Sequence, residues 1–278
     1  MKKKYLITLD VDETLLDHDY RTTSPTINSV ISQLNKEGHV FLLNSNRSLE
    51  DLISVAKIFD ISGELIGENG AFIYNQAIGH LEVLVGEESI AQLEKLKIQI
   101  PKIIDDNFEK SMFFVSDTTD INKHLDIQDQ PTGKKNLFIM NEFRKYSISV
   151  HVKKVLDGKL VKDIETAEKL NNLVNEYIRN NQLKLNSEYT SSFANVLVCL
   201  QECSKSQAFH RLIDGYRDYL KIFIGDDEKD KPLEGAADYF FAVNNATKEA
   251  KEIANYVSGE EITKGVEDIL LKIDSLAK

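Results

Sequence analysis

Cysteine is scarce in this chain, with two residues in 278. The spacing of Cys199 and Cys203 fits neither a Cys-x-x-Cys redox pair nor a zinc knuckle, so reduced, buried or half-buried thiols are expected. No stretch approaches the roughly eighteen apolar residues of a membrane span. The opening MKKKYLITLDVDE runs into acid too early for a signal-peptide core, and a cytoplasmic protein with no membrane partner is expected. Positive charge is outweighed, with 34 Lys and Arg against 45 Asp and Glu and a formal net charge of -11. That argues against nucleic acid as a partner, because a phosphate backbone needs clustered Lys and Arg. A site for an anionic substrate must then build local positive charge from a metal or a few placed cations. Internal repeats, low-complexity tracts and long linkers are missing too.

What is present is an ordinary globular composition, 42% hydrophobic and 28% charged, at a length that predicts two domains or one elaborated domain. Residues 4–9 (KYLITL) form a short apolar, β-rich run that stops abruptly in acids, the pattern of a buried strand with a polar tip. Ser24-Pro25 reads as a cap with proline at the first helical position, and Ile27, Val30, Ile31 and Leu34 follow at helical spacing up to Gly38. Residues 40–43 are a second apolar strand, Ser48 opens another amphipathic helix, and Gly67 and Gly70 punctuate a short strand and hairpin. Such alternation predicts a parallel sheet with helices on both faces.

The tail repeats the grammar, with strands at 220–224 and 239–243 and helices expected at 247–256 and 264–276. Residues 82–199 differ: SISVHV (147–152) and NVLVCL (195–200) alternate, and a long helix runs from about Ile164 to Tyr177. An antiparallel sheet with helices on one face is expected there. The predicted architecture is α/β, a doubly wound, Rossmann-like core of residues 1–81 and 200–278 split by an inserted α+β domain, 82–199.

Four features sit at expected strand ends or helix starts, where open α/β sheets place their sites. Asp10 and Asp12 form an i, i+2 pair beyond the first strand; an ionised Asp10 can attack phosphorus and Asp12 can move the proton. An acidic loop of this kind also suits a calcium-like site or a solvated turn. Ser45, Asn46 and Arg47 follow the second strand, where a hydroxyl and backbone N–H groups can hold phosphate or simply cap a helix. Lys205 opens a helix, as solvated lysines also do. Gly225 to Asp230 follow the strand 220–224, and carboxylates there can complete an oxygen shell for Mg²⁺ or make a plain acidic turn.

In this order the motifs resemble those of the haloacid dehalogenase superfamily, in particular its Cof-like, type-IIB phosphatases with a large α+β cap. The pattern is Asp-x-Asp-x-Thr, then Ser or Thr, then Lys, then Gly-Asp-x-x-x-Asp. Asn69-Gly70-Ala71, Asn244-Asn245-Ala246 and residues 254–270 extend the match over both core segments, and the cap matches by position and texture. The resemblance implies Asp10 as nucleophile and metal ligand, and Asp12 as general acid/base whose carbonyl also binds the metal. It implies Ser45, with Asn46 beside it, and Lys205 on the phosphate, Asp226 on Mg²⁺, and Asp230 supporting the metal shell. It further implies a small phosphorylated metabolite as substrate, a sugar phosphate first, and a cap acting as lid and specificity element. A hexose phosphomutase or a trehalose- or sucrose-phosphate phosphatase shares the pattern. A phospho-receiver is disfavoured by the large insert and by Asp12.

Three positions depart from the pattern. Glu13 replaces a common glycine, which is tolerable if its φ stays negative. Asn46 also replaces a glycine, and Lys229 stands where Asn is usual. The six histidines show no metal-ligand spacing, and Arg47 is expected to make a surface ion pair.

Overall fold

The computed structural model describes residues 3–109, 111–116, 136–156, 159–227 and 235–277. In chain order it contains β1 (Tyr5–Leu9), α1 (Ile27–Lys36), β2 (Val40–Asn44), α2 (Leu49–Ile58), β3 (Leu65–Gly67), β4 (Phe72–Asn75) and β5 (His80–Val83). Then come α3 (Glu87–Asn107), β6 (Ser111–Ser116), β7 (Asn136–Asn141), β8 (Ser147–Leu156), β9 (Lys159–Lys162), α4 (Ile164–Asn180), β10 (Leu185–Thr190) and β11 (Asn195–Leu200). The chain finishes with α5 (Lys205–Ile213), β12 (Leu220–Gly225), β13 (Tyr239–Ala242), α6 (Lys248–Ile253), β14 (Tyr256–Val257), α7 (Ile262–Leu271) and α8 (Ile273–Leu276).

Two compact units result, residues 1–84 with 203–278, and residues 85–202. The first is built on an eight-stranded sheet in the order β14-β13-β12-β1-β2-β3-β4-β5, parallel from β14 through β3 and antiparallel over the last two pairings. All five residues of β1 are buried, as a strand flanked on both sides by parallel neighbours in a helix-covered sheet requires. Gly38, at φ +91, closes α1: its N–H reaches the Asn35 carbonyl and that of His39 reaches Leu34. The Ser48 hydroxyl accepts the Asp51 amide and so caps α2 where the sequence expects it. This is the expected doubly wound core.

The second unit holds a six-stranded sheet, β10-β11-β8-β7-β6 with β9 on β8. Its pairs are antiparallel except β6 with β7, which run parallel. Helix α3 buries Leu93, Leu96, Ile100 and Ile104, and α4 buries Ala167, Leu170, Val174 and Ile178, each one apolar stripe.

Several local expectations need correction. Ser24 does not cap α1: Thr26 holds that position, and the Ser24 hydroxyl donates to Glu267 instead (2.6 Å). The helix expected at 247–256 ends at Ile253, because the Asn255 amide turns to the Phe240 carbonyl and Tyr256–Val257 joins β13 as a strand. The final helix starts at Ile262 and breaks at Lys272. An insert beginning at residue 82 would cut β5, which pairs with β4 through Val83.

Candidate active site

Asp10, Ser45 and Asp226 follow or end three neighbouring strands, β1, β2 and β12, on their C-terminal side. The chain leaves β1 for β2 on one side and β12 on the other, the place where doubly wound sheets open a crevice. Asp10 is 6% exposed, and its backbone N–H donates to the Ile224 carbonyl (3.0 Å), continuing the β1–β12 ladder past Leu9. One carboxylate oxygen accepts the Val11 amide (2.7 Å). The other lies 3.0 Å from Lys205 Nζ. Two opposite charges, each about a tenth exposed, share this spot.

Lys205 owes its position to a turn that sequence reading matched without explaining. Glu68, Asn69 and Gly70 have φ of +45, +61 and +88, three left-handed residues in succession. A Cβ at Gly70 would stand 2.1 Å from the Ser204 carbonyl oxygen, so the turn packs backbone against the start of α5. Asn69 donates to the Cys203 carbonyl (3.4 Å) and Asn44 to that of Lys205 (3.2 Å). Ser204 caps the helix, accepting the Gln207 amide.

Asp12 is held from another loop. Arg47 grips its carboxylate, with Nε 3.2 Å from both oxygens and Nη2 2.6 Å from Oδ1. The Arg47 side chain is 12% exposed and its guanidinium lies 4.9 Å over the Tyr20 ring. Burial works against the charge, but the Asp12 carboxylate outweighs it and holds the guanidinium above its usual pKa. The surface ion pair expected for Arg47 is therefore corrected: the pair is largely enclosed and belongs to the site. Sequence spacing placed Arg47 in the right turn, but its partner lies on another loop.

Ser45 is buried, and its hydroxyl accepts the Arg47 amide (3.3 Å); Asn46 stands beside it in the turn between β2 and α2. Asp226 accepts a hydrogen bond from the buried Thr14 hydroxyl (3.0 Å), and its carbonyl accepts the Thr247 amide (2.8 Å). Glu13 has φ +58, against the negative value expected, so a glutamate occupies the left-handed conformation where glycine is common. Asp230 and Lys229 lie outside the described residues.

The donors offered to a cation are the Asp10 and Asp226 carboxylates at the ends of adjacent parallel strands. An all-oxygen set with few carboxylates suits Mg²⁺, which keeps several waters. Among the described residues no group of three or more His, Cys, Asp or Glu side chains is placed to hold a metal. His39 is packed, stacked on Tyr5 with ring centroids 4.7 Å apart.

The chain matches the family of haloacid dehalogenase-like hydrolases over residues 7–270. It belongs to that family. Among solved structures it resembles a haloacid dehalogenase-like hydrolase from Bacteroides thetaiotaomicron (17% identity, 98% of this chain and 100% of that one, TM-score 0.67). It also resembles a candidate HAD/COF-like hydrolase from Plasmodium vivax (20%, 98% and 96%, 0.65). A third, from Bacteroides thetaiotaomicron, was described in a study of phosphatases of the haloalkanoate superfamily (15%, 99% and 96%, 0.60). At these identities the likeness is one of fold. No curated protein matches the chain. No helix among the described residues is long and apolar enough to cross a membrane.

Proposed function

We propose that this hydrolase is a phosphatase that cleaves a small phosphate monoester, a sugar phosphate first, through an aspartyl-phosphate on Asp10. The observation that carries the reading is the Lys205 ammonium 3.0 Å from the Asp10 carboxylate, joining residues 195 positions apart beside the Asp12–Arg47 pair. An Asp10 oxygen attacks phosphorus and the bond to the leaving oxygen breaks, while Asp12 delivers a proton to that oxygen. Asp12 then takes a proton from water as the water attacks phosphorus and frees Asp10 and inorganic phosphate. Lys205 and the Ser45 hydroxyl neutralise and hold the phosphoryl oxygens, with Asn46 beside them. Asp10, the Asp12 carbonyl and Asp226 would hold Mg²⁺, supported by Asp230; the ion supplies positive charge against the phosphoryl group and the ionised Asp10.

Substrate choice by the inserted unit belongs to the same reading and rests on the resemblance; a cytoplasmic location is proposed from the N-terminal sequence and the lack of a membrane-length apolar run. Phosphate release over a panel of sugar phosphates, with Mg²⁺ and with EDTA, tests it. Activity should require Mg²⁺ and vanish in Asp10→Asn and Asp12→Ala; full turnover in either variant overturns the mechanism. A sugar 1-phosphate that yields an isomer in place of free phosphate would point to the mutase instead.

A further inference from the structure

We infer that Asn245 is a positioning residue for the loop that carries Asp10 and Asp12, an inference that rests on the phosphatase reading of the site. Its carboxamide spans two stretches of chain. Nδ2 donates to the Glu13 carbonyl (2.7 Å), and Oδ1 accepts the Ile262 amide (2.8 Å). One amide orientation satisfies both, since a carbonyl accepts only and an N–H donates only.

The two residues it joins share an uncommon property. Glu13 and Ile262 are both left-handed, at φ +58 and +52, and for a β-branched isoleucine that is an outlier. Such conformations persist only where the surroundings over-determine them. Glu13 lies between Asp12 and Thr14, whose hydroxyl reaches Asp226. Holding the Glu13 carbonyl therefore fixes the Glu13–Thr14 peptide, one residue beyond Asp12, and aims the hydroxyl that orients Asp226.

The far end of the clip is anchored. Thr263 Oγ1 donates to the Leu15 carbonyl (2.7 Å) and accepts the Thr23 amide (3.0 Å). Glu267 accepts hydroxyls from Ser24 and Thr26, both at 2.6 Å. Helix α7 is thus a fixed post, and Asn245 ties the loop to it. An aspartate at 245 would set oxygen against the Glu13 carbonyl, and an alanine would hold neither end.

The test compares native protein, Asp10→Asn, Asn245→Ala, Asn245→Asp, Glu13→Gly and the Asn245→Ala, Glu13→Gly double variant, using p-nitrophenyl phosphate and Mg²⁺. Both Asn245 variants should lose on the order of 10- to 100-fold in kcat, the cost of a small misplacement, with KM near native. Glycine takes positive φ without penalty, so Glu13→Gly should return part of kcat in the Asn245→Ala background. In metal-free protein, urea unfolding of the Glu13→Gly and Asn245→Ala cycle should be non-additive. If Asn245→Ala does not fold, Asn245→Asp, which keeps the acceptor for Ile262, carries the comparison. Native kcat in the Asn245 variants beside a dead Asp10→Asn overturns the inference alone. So does a loss that Glu13→Gly leaves unrestored, with additive unfolding energies. A native protein that releases no phosphate, or an active Asp10→Asn, overturns the reading of the site and takes this role with it.

Discussion

Three nitrogen–oxygen contacts join the Arg47 guanidinium to the Asp12 carboxylate, and the Tyr20 ring covers the guanidinium plane. A planar fork sets the orientation of a carboxylate as well as its charge; an ammonium supplies the charge alone. Arg47→Ala is therefore expected to lower kcat on the order of 10- to 100-fold by freeing Asp12 to turn, and Arg47→Lys should recover little of it. Steady-state kinetics on the two variants check this, and a native kcat in Arg47→Ala would remove the role. The pair was not legible in the sequence. Arg47 and Asp12 lie 35 positions apart on different loops, and only the packing of β1 beside β2 brings them together. Asp10, Lys205 and Asp226 each sit where a strand ends or a helix begins, a boundary that hydrophobic patterning marks, and the resemblance gave them their expected roles.

Among the elements, the turn at residues 68–70 shows how backbone shape can serve a distant side chain. Its three left-handed residues let Gly70 pack against the Ser204 carbonyl at the head of α5. Gly70→Ala should cost on the order of 2–4 kcal/mol, combining a strained φ with a backbone clash that cannot relax cheaply. Urea unfolding measures the loss. A phosphate-release assay on the folded fraction should show a lower kcat, because the start of α5 carries Lys205. A stability within about 0.5 kcal/mol of native, the ordinary range for a surface change, would mean the close approach is not there. Core strands were legible because burial on both faces writes a continuous apolar run, as in residues 222–224. Among the elements that escaped, two did so for plain physical reasons. Helix α3 has a regular stripe, but Pro101 interrupts it and reads as a stop. Strand β14 is two residues long, and its pairing with Phe241 and Ala242 is a tertiary fact.

For the molecule as a whole, pH should act through groups far from the site as well as within it. Burial raises the Tyr5 phenol to about 12, helped by its hydrogen bond to Asp274 and by that charge, from an ordinary 10.0. A phenol whose folded pKa is raised contributes stability that is fully present below pH 10 and is lost as pH climbs from 10 to 12. Tyr5→Phe should flatten that part of the stability curve, measured as urea midpoints from pH 9 upward in steps ending near the folded pKa. An unchanged alkaline slope would show that other groups dominate.

Strand β1, which leads into Asp10, has one neighbour, β2, that leaves the ribosome soon after it, and another, β12, that follows only after residues 85–202 have been made. Until then a strand that the finished fold buries at all five residues presents an open edge, the kind that recruits stray chains. Translation of the insert is thus a window of aggregation risk for the very segment that holds Asp10. Nascent chains stopped before residue 220 should be more readily digested by protease around β1 than complete ones.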